Sequence, residues 1–306
     1  MKSIAFIRRL AVATMIATWI LLLIGGLVNP MGASMACPDW YFVPTCNGEL
    51  LPEMTGGVLY EHGHRLWASW VGVLTLALAV AAWRSKALDA TSRRYAIVAL
   101  VLVCVQGTLG GITVKLNLSS AISTLHLGTA MVFFGLLIAL VARLARAATP
   151  TPMPTDRKLL AIATGAVLVQ ILLGGTVRHL GAGLICGDDW VGCGGGAWTK
   201  QPLAHLHMTH RFFAYALVPL VLLAARHAAR EAARTRNNVA ARLAKLPAVL
   251  VIVQIVLGLA TVATGRSVAI VTLHTAVGAL VLASLWACFL ALGPSWSAAT
   301  REGGAK

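Results

Sequence analysis

Glu61-His62-Gly63-His64-Arg65 heads an apolar run, residues 65–83 with the sequence RLWASWVGVLTLALAVAAW, long enough to cross a bilayer as a helix. An ionisable side chain at the edge of such a span is costly, which reads His64 as functional. The same His-Arg dipeptide recurs at His210-Arg211, 146 residues further on. A second motif, Thr-Leu-His, stands at Thr124-Leu125-His126 and returns at Thr272-Leu273-His274, an offset of 148. Each of the four histidines stands at the head of an apolar run.

Working outward, eight runs are long enough to span a membrane: 8–28, 65–83, 95–114, 124–142, 159–177, 210–226, 246–264 and 272–292. Of the 306 residues, 58% are hydrophobic and 11% charged, too apolar for a soluble domain of this size. The runs fall into one four-helix unit used twice. Leu23-Ile24-Gly25-Gly26 matches Leu172-Leu173-Gly174-Gly175, and Gln106, Gly110 and Thr113 match Gln254, Gly258 and Thr261. The expected fold is an all-α polytopic membrane protein, eight transmembrane helices in two tandem pseudo-symmetric four-helix bundles. The expected units are 1–148, a linker 149–154 rich in Thr and Pro, and 155–306. An even number of spans per unit makes both halves enter the membrane the same way round, about a pseudo-twofold axis along its normal. All four histidines then lie at one depth, near the outer surface. Span 1 has basic residues ahead of an apolar run, as a signal peptide does. Its counterpart in span 5 makes it structural and retained.

The net charge of +15 is a topology signal rather than a sign of nucleic-acid binding. Most Lys and Arg fall in the amino terminus, the loops after spans 2, 4 and 6, and the carboxyl terminus. The positive-inside rule puts both termini in the cytoplasm of a bacterial-type inner membrane.

Cys104 and Cys288 lie within spans, where cysteine acts as a small apolar residue. Cys37 and Cys46 share the first outer loop, and Cys186 and Cys193 the third. Facing an oxidising compartment and isolated within their own loops, the pairs read as two disulfides, with free thiols or metal ligands as the alternatives.

Two histidines on opposed apolar helices suit a six-coordinate haem better than zinc or copper, which need more convergent ligands. His64 with His126, and His210 with His274, are the natural pairs. Arg65 and Arg211 stand where they can meet haem propionates or else anchor the helix at the interface. The halves differ at one place. Three residues before the first ligand stands Glu61 in one half and His207 in the other. A carboxylate beside a porphyrin edge can move protons or steady positive charge. The first half therefore reads as the reactive site and the second as the electron-carrying one. The alternative for Glu61 is a charge at a helix start.

Tyr60-Glu61-His62-Gly63-His64-Arg65, Thr124-Leu125-His126, His210-Arg211 and Thr272-Leu273-His274 resemble the haem A synthase family. So do the duplicated unit and the two outer cysteine pairs, of the bacterial two-pair type. The resemblance covers essentially the whole chain. It implies an oxidoreductase acting on a CH or CH2 group, oxidising the C8 methyl of haem O to a formyl group and so supplying haem A for terminal oxidase assembly. It implies haem b as cofactor on His210 and His274, haem O at His64 and His126, and a requirement for Glu61. The implied partners are haem O, the bilayer, an enzyme supplying haem O and a redox donor or acceptor. Oligomeric state is left open. The competing reading is a di-haem b-type cytochrome that only transfers electrons. It accounts for four histidines but not for a glutamate in one half alone. A transporter ranks below both, because no charged or broken-helix feature falls at mid-membrane depth. His205 and His207 are rival ligands to His210, which is preferred because it carries the repeat-matched Arg211. His62, Arg178, His179, His227, Asp188 and Asp189 are given no role in the site.

Overall fold

A computed structural model of the chain describes residues 3–40, 43–145, 155–187, 189, 192–193 and 201–293. Among the described residues there are nine α-helices and no strands. They are α1 (Ile4–Val28), α2 (Gly56–Arg84), α3 (Ala90–Lys115), α4 (Ser120–Ala145), α5 (Lys158–His179), α6 (Pro202–Arg234), α7 (Asn238–Leu243), α8 (Lys245–Ala263) and α9 (Val268–Ala291). The short α7 runs on into α8 as a single stretch, 238–263, so eight segments are long and apolar enough to cross a membrane. The molecule is a multi-pass membrane protein. Many large apolar side chains point away from the protein, Trp70, Trp83 and Val73 among them, as a lipid-facing surface requires. The linker 149–154 and Asp188 lie outside the described residues.

Local chemistry explains the helix ends. Ser3 and Asp89 cap α1 and α3 by accepting from the Phe6 and Ser92 amides. Asp89 also pairs with the buried Arg143 of α4, joining the two helices at their cytoplasmic end in the expected topology. α6 begins at Pro202, where a missing N–H costs nothing. Its 33 residues make about 50 Å. That length overshoots a hydrocarbon core of ~30 Å, so its arginine-bearing end stands clear.

The helices around the His-Arg motifs start earlier than hydropathy indicates. α2 starts at Gly56 and α6 at Pro202 rather than near 65 and 210. Their first turns carry polar groups that hold the disulfide-bearing loops and so do not register as apolar. His64 and His210 each lie eight residues inside their helices, about 12 Å along the axis. His126 and His274 lie six residues inside theirs.

α1 packs on α2 and α4, and α3 bridges α2 and α4; α5, α6, α8 and α9 close in the same order. Between the two rings, α1 meets α9 and α4 meets α5 and α9. Tryptophan N–H groups stitch this seam: Trp19 donates to Ala276 O (3.3 Å) and Trp286 to Gly135 O (2.9 Å). The paired glycines divide two tasks. A Cβ on Gly26 would reach Thr275 of α9, and one on Gly175 would lie 2.8 Å from Leu127 of α4, so these glycines let the halves close up. Gly25 and Gly174 face their own halves.

Candidate functional site

His64, His126, His210 and His274 line one continuous cavity of about 1150 Å³ reached from both halves. His64 and His126 stand on α2 and α4 of one ring of helices, and His210 and His274 on α6 and α9 of the other. Each ring rests on a glycine of the neighbouring helix. A Cβ on Gly25 would lie 2.9 Å from His64 Cε1, on Gly110 3.3 Å from His126, on Gly174 2.8 Å from His210 and on Gly258 3.2 Å from His274. In all four, Nδ1 is buried with no hydrogen-bond partner among the described residues. Four cradled imidazoles on apolar walls fit two flat macrocycles, each held from both faces.

The glycine cradle makes a measurable prediction. Gly174→Ala should push the His210 ring out of place and weaken haem binding in that half about 10-fold or more, the range for changes that reorient a ligand. Gly165→Ala, on the same helix and facing open space, should leave affinity unchanged. Equal affinities and spectra for the two variants would show that the cradle does not set the ring.

Three glutamines support the pairs. Gln106 donates to His126 O (2.8 Å) and Gln170 to His210 O (2.9 Å), while Gln254 reaches the His274 ring itself (3.3 Å). Gln106 and Gln254 stand out in the repeat, but their role appears only when the helices are packed.

The arginines of the two His-Arg motifs turn outward, onto the disulfide loops. Cys37 is bonded to Cys46 and Cys186 to Cys193. Arg65 donates to the carbonyls of Cys37, Asp39 and Thr45 and to Glu61, so both its terminal nitrogens are engaged. Arg211 donates to the carbonyls of Asp189 and Gly192 and to His207 Nε2. Its Nη2 is buried with no partner among the described residues. Asp39 stiffens the first loop. Burial alone would raise its pKa, but the Thr45 hydroxyl and the amides of Gly48 and Asn47 outweigh that and hold the carboxyl below its ordinary value. Its contribution to loop order is therefore present at neutral pH and is lost as pH falls through that depressed value.

Glu61 and His207 occupy equivalent places but differ in charge. Glu61 Oε1 accepts from Arg65 (2.9 Å) and Oε2 from the Cys37 amide (2.9 Å). His207 Nδ1 faces Ala182 O (2.7 Å), and its Nε2 accepts from Arg211. Both line the cavity. The first half thus holds a carboxylate matched to its arginine, and the second an arginine with no carboxylate bonded to it among the described residues.

The residues set aside divide. His62 is fully buried and touches Leu50 O (3.2 Å), and His227 touches Asp156 O (2.9 Å), both structural contacts. His205 lies off the cavity and His207 is engaged at both nitrogens, which leaves His210 as the ligand candidate on α6. Asp189 accepts from the Gly192 amide and so shapes its loop. Arg178 and His179 belong to the site after all. Both line the cavity, and Arg178 crosses the seam to Gly26 O (2.9 Å) and Asn29 (3.2 Å). Trp40 was missed. Its indole lies over Gly111, where a Cβ would overlap it. No periodicity marks such contacts.

Fold and site define a class: polytopic helical proteins with paired histidines presented to an intramembrane cavity. Residues 54–286 match the COX15-CtaA model, described as cytochrome oxidase assembly protein, and the chain belongs to that family. It is 35% identical over 251 residues to a protein named heme A synthase from Rhizorhabdus wittichii, covering 74% of this chain and 70% of that one. Proteins of the same name from Geobacillus kaustophilus and Bacillus cereus are 28% and 26% identical, the first over 72% of this chain and 71% of its own, the second over 94% and 93%.

Proposed function

We infer that this chain is an enzyme that converts haem O to haem A for terminal oxidase assembly. The observation that carries this is the asymmetry of a two-site cavity: a histidine pair in each half and, among the described residues, a carboxylate lining the wall beside only the first. The relatives' shared name points the same way.

In this reading residues 1–148 form the substrate half and 155–306 the cofactor half, related as tandem pseudo-symmetric bundles. Haem b is held by His210 and His274, and haem O by His64 and His126. The haem b iron supplies one-electron redox chemistry when bound. Arg211, whose buried Nη2 has no partner among the described residues, receives a propionate. Arg65 is committed to the loop and Glu61, so its part is to fix the carboxylate against the cavity wall. Exchanging two C–H bonds of the methyl group for one C=O bond is a four-electron oxidation that needs an oxygen atom; written with water as its source, it releases four protons and four electrons, and the redox partner takes the electrons. Glu61 takes up a proton or steadies positive charge at the porphyrin edge, which makes the chemistry an oxidation at a CH group. The apolar walls exclude water, and the pinned loops cover the site from above. Both termini lie in the cytoplasm of a bacterial inner membrane, with the sites toward its outer face. A haem O-supplying enzyme and a redox partner complete the system.

Extracting the pigments of protein purified from cells that make haem O tests this reading. Haem b together with haem O or haem A is the expected result. Haem b alone, at two per chain, would favour the electron-transfer cytochrome instead.

A further inference from the structure

The cavity is not the same shape in the two halves. In the second half its wall between α6 and α8 closes at Leu217, Val221, Val251 and Ile255. In the first half it continues past Val71 and Val103 to Gly72, Leu76, Leu100, Cys104, Gly107 and Thr108. At the repeat offsets of 146 and 148, Gly72 corresponds to Val218 and Gly107 to Ile255. Val218 packs into the core of its half and does not line the cavity. A Cβ on Gly72 or Gly107 would meet nothing within 4 Å, so open space stands where the other half has branched side chains.

This slot reaches the lipid. Leu100, Cys104 and Thr108 also line a second hollow on the outer face of α3, with Val101 and Val105, both exposed. From Thr108 to Leu100 the slot runs about 12 Å along the helix. It leads away from Arg65 and the disulfide loop, toward the middle of the membrane-spanning length. Its one hydroxyl, on Thr108, is spent on Cys104 O (3.0 Å), so the lining is effectively apolar. The rings of His64 and His126, whose Nδ1 atoms have no partner among the described residues, stand at its upper end.

We propose that this α2–α3 slot binds the isoprenoid tail of haem O and is the sideways route by which the substrate enters from the bilayer. The proposal rests on the reading that the first half receives haem O. Haem O carries a farnesyl-derived chain where haem b has a small vinyl group. A flat ring with a long apolar tail needs a slot open to lipid; haem b needs none. The glycines make the first half the tail-accepting one, and Val218 and Ile255 seal the second against it.

The test is an absorbance titration of haem O, and separately of haem b, into purified protein whose second half already carries haem b. The combination Gly72→Val with Gly107→Ile, the residues of the other half, should weaken haem O binding at least 10-fold and leave haem b binding unchanged. In reverse, Val218→Gly with Ile255→Gly, prepared free of haem and titrated in the same way, should let the second half take haem O. Wild-type affinity for haem O in the filled variant, as expected if a phospholipid chain is the true occupant, would overturn the slot. Equal loss of both haems from the filled variant, with no gain in the reverse one, would overturn it too. Wild-type protein that binds haem b but no haem O would instead refute the reading on which the slot depends.

Discussion

Glu61→Gln is expected to cut haem A formation about 10²–10⁴-fold, the usual worth of a general acid or base, while the second half keeps its haem b. Both carboxylate oxygens are engaged, one by Arg65 and one by the Cys37 amide. Glutamine keeps one acceptor oxygen and turns the other into an NH2 group facing a donor. The loop therefore loses one hydrogen bond but keeps its disulfide and the three carbonyls held by Arg65. Catalysis loses the charge and nearly all basicity at that point. A comparison separates the roles: His207→Gln removes the equivalent arginine partner in the other half and should affect conversion far less. Both variants are assayed by extracted haem A and haem O in cells that make haem O. Normal haem A from Glu61→Gln would reduce the glutamate to a clamp for the loop.

His210→Ala or His274→Ala is expected to abolish the low-spin, bis-histidine haem b spectrum and to stop conversion with it. Loss of one axial ligand changes both spin state and affinity. Within α6 the described residues hold no stand-in. On α6, His207 is held by Arg211 and Ala182, and His205 lies off the cavity. His64→Ala should leave that spectrum intact and remove only substrate binding. Were haem b lost from the His64 variant and retained in the His210 variant, the roles of the two halves would have to be exchanged.

Much of this was legible in the sequence, for physical reasons. Membrane spans announce themselves by length and apolarity, and duplication turns four scattered histidines into two pairs. Gly25-Gly26 and Gly174-Gly175 marked places of close approach. Sequence does not say which glycine faces which partner, because that depends on a 100° turn around each helix and on where the neighbours stand. The His-Arg motif left two options for its arginine. Packing puts Arg65 and Arg211 on loop carbonyls, contacts made by backbone groups that no side-chain pattern reveals. Helix starts at Gly56 and Pro202 were hidden because their first turns hold loops rather than lipid. Arg178, Trp40 and the slot beside Gly72 stayed invisible because each depends on a distant segment or on empty space.

The seam has one more implication. Gly26 of α1 meets Thr275 of α9, and Gly175 of α5 meets Leu127 of α4. Thr275 and Leu127 are themselves 148 residues apart, the offset of the repeat. The positions joined in one contact thus correspond across the sequence repeat to those joined in the other. A lone four-helix unit with these surfaces would carry both faces of the joint. Tethering two such units in one polypeptide frees each to diverge, so that Gly107 and Ile255, or Glu61 and His207, can differ where a homodimer would be obliged to keep them identical.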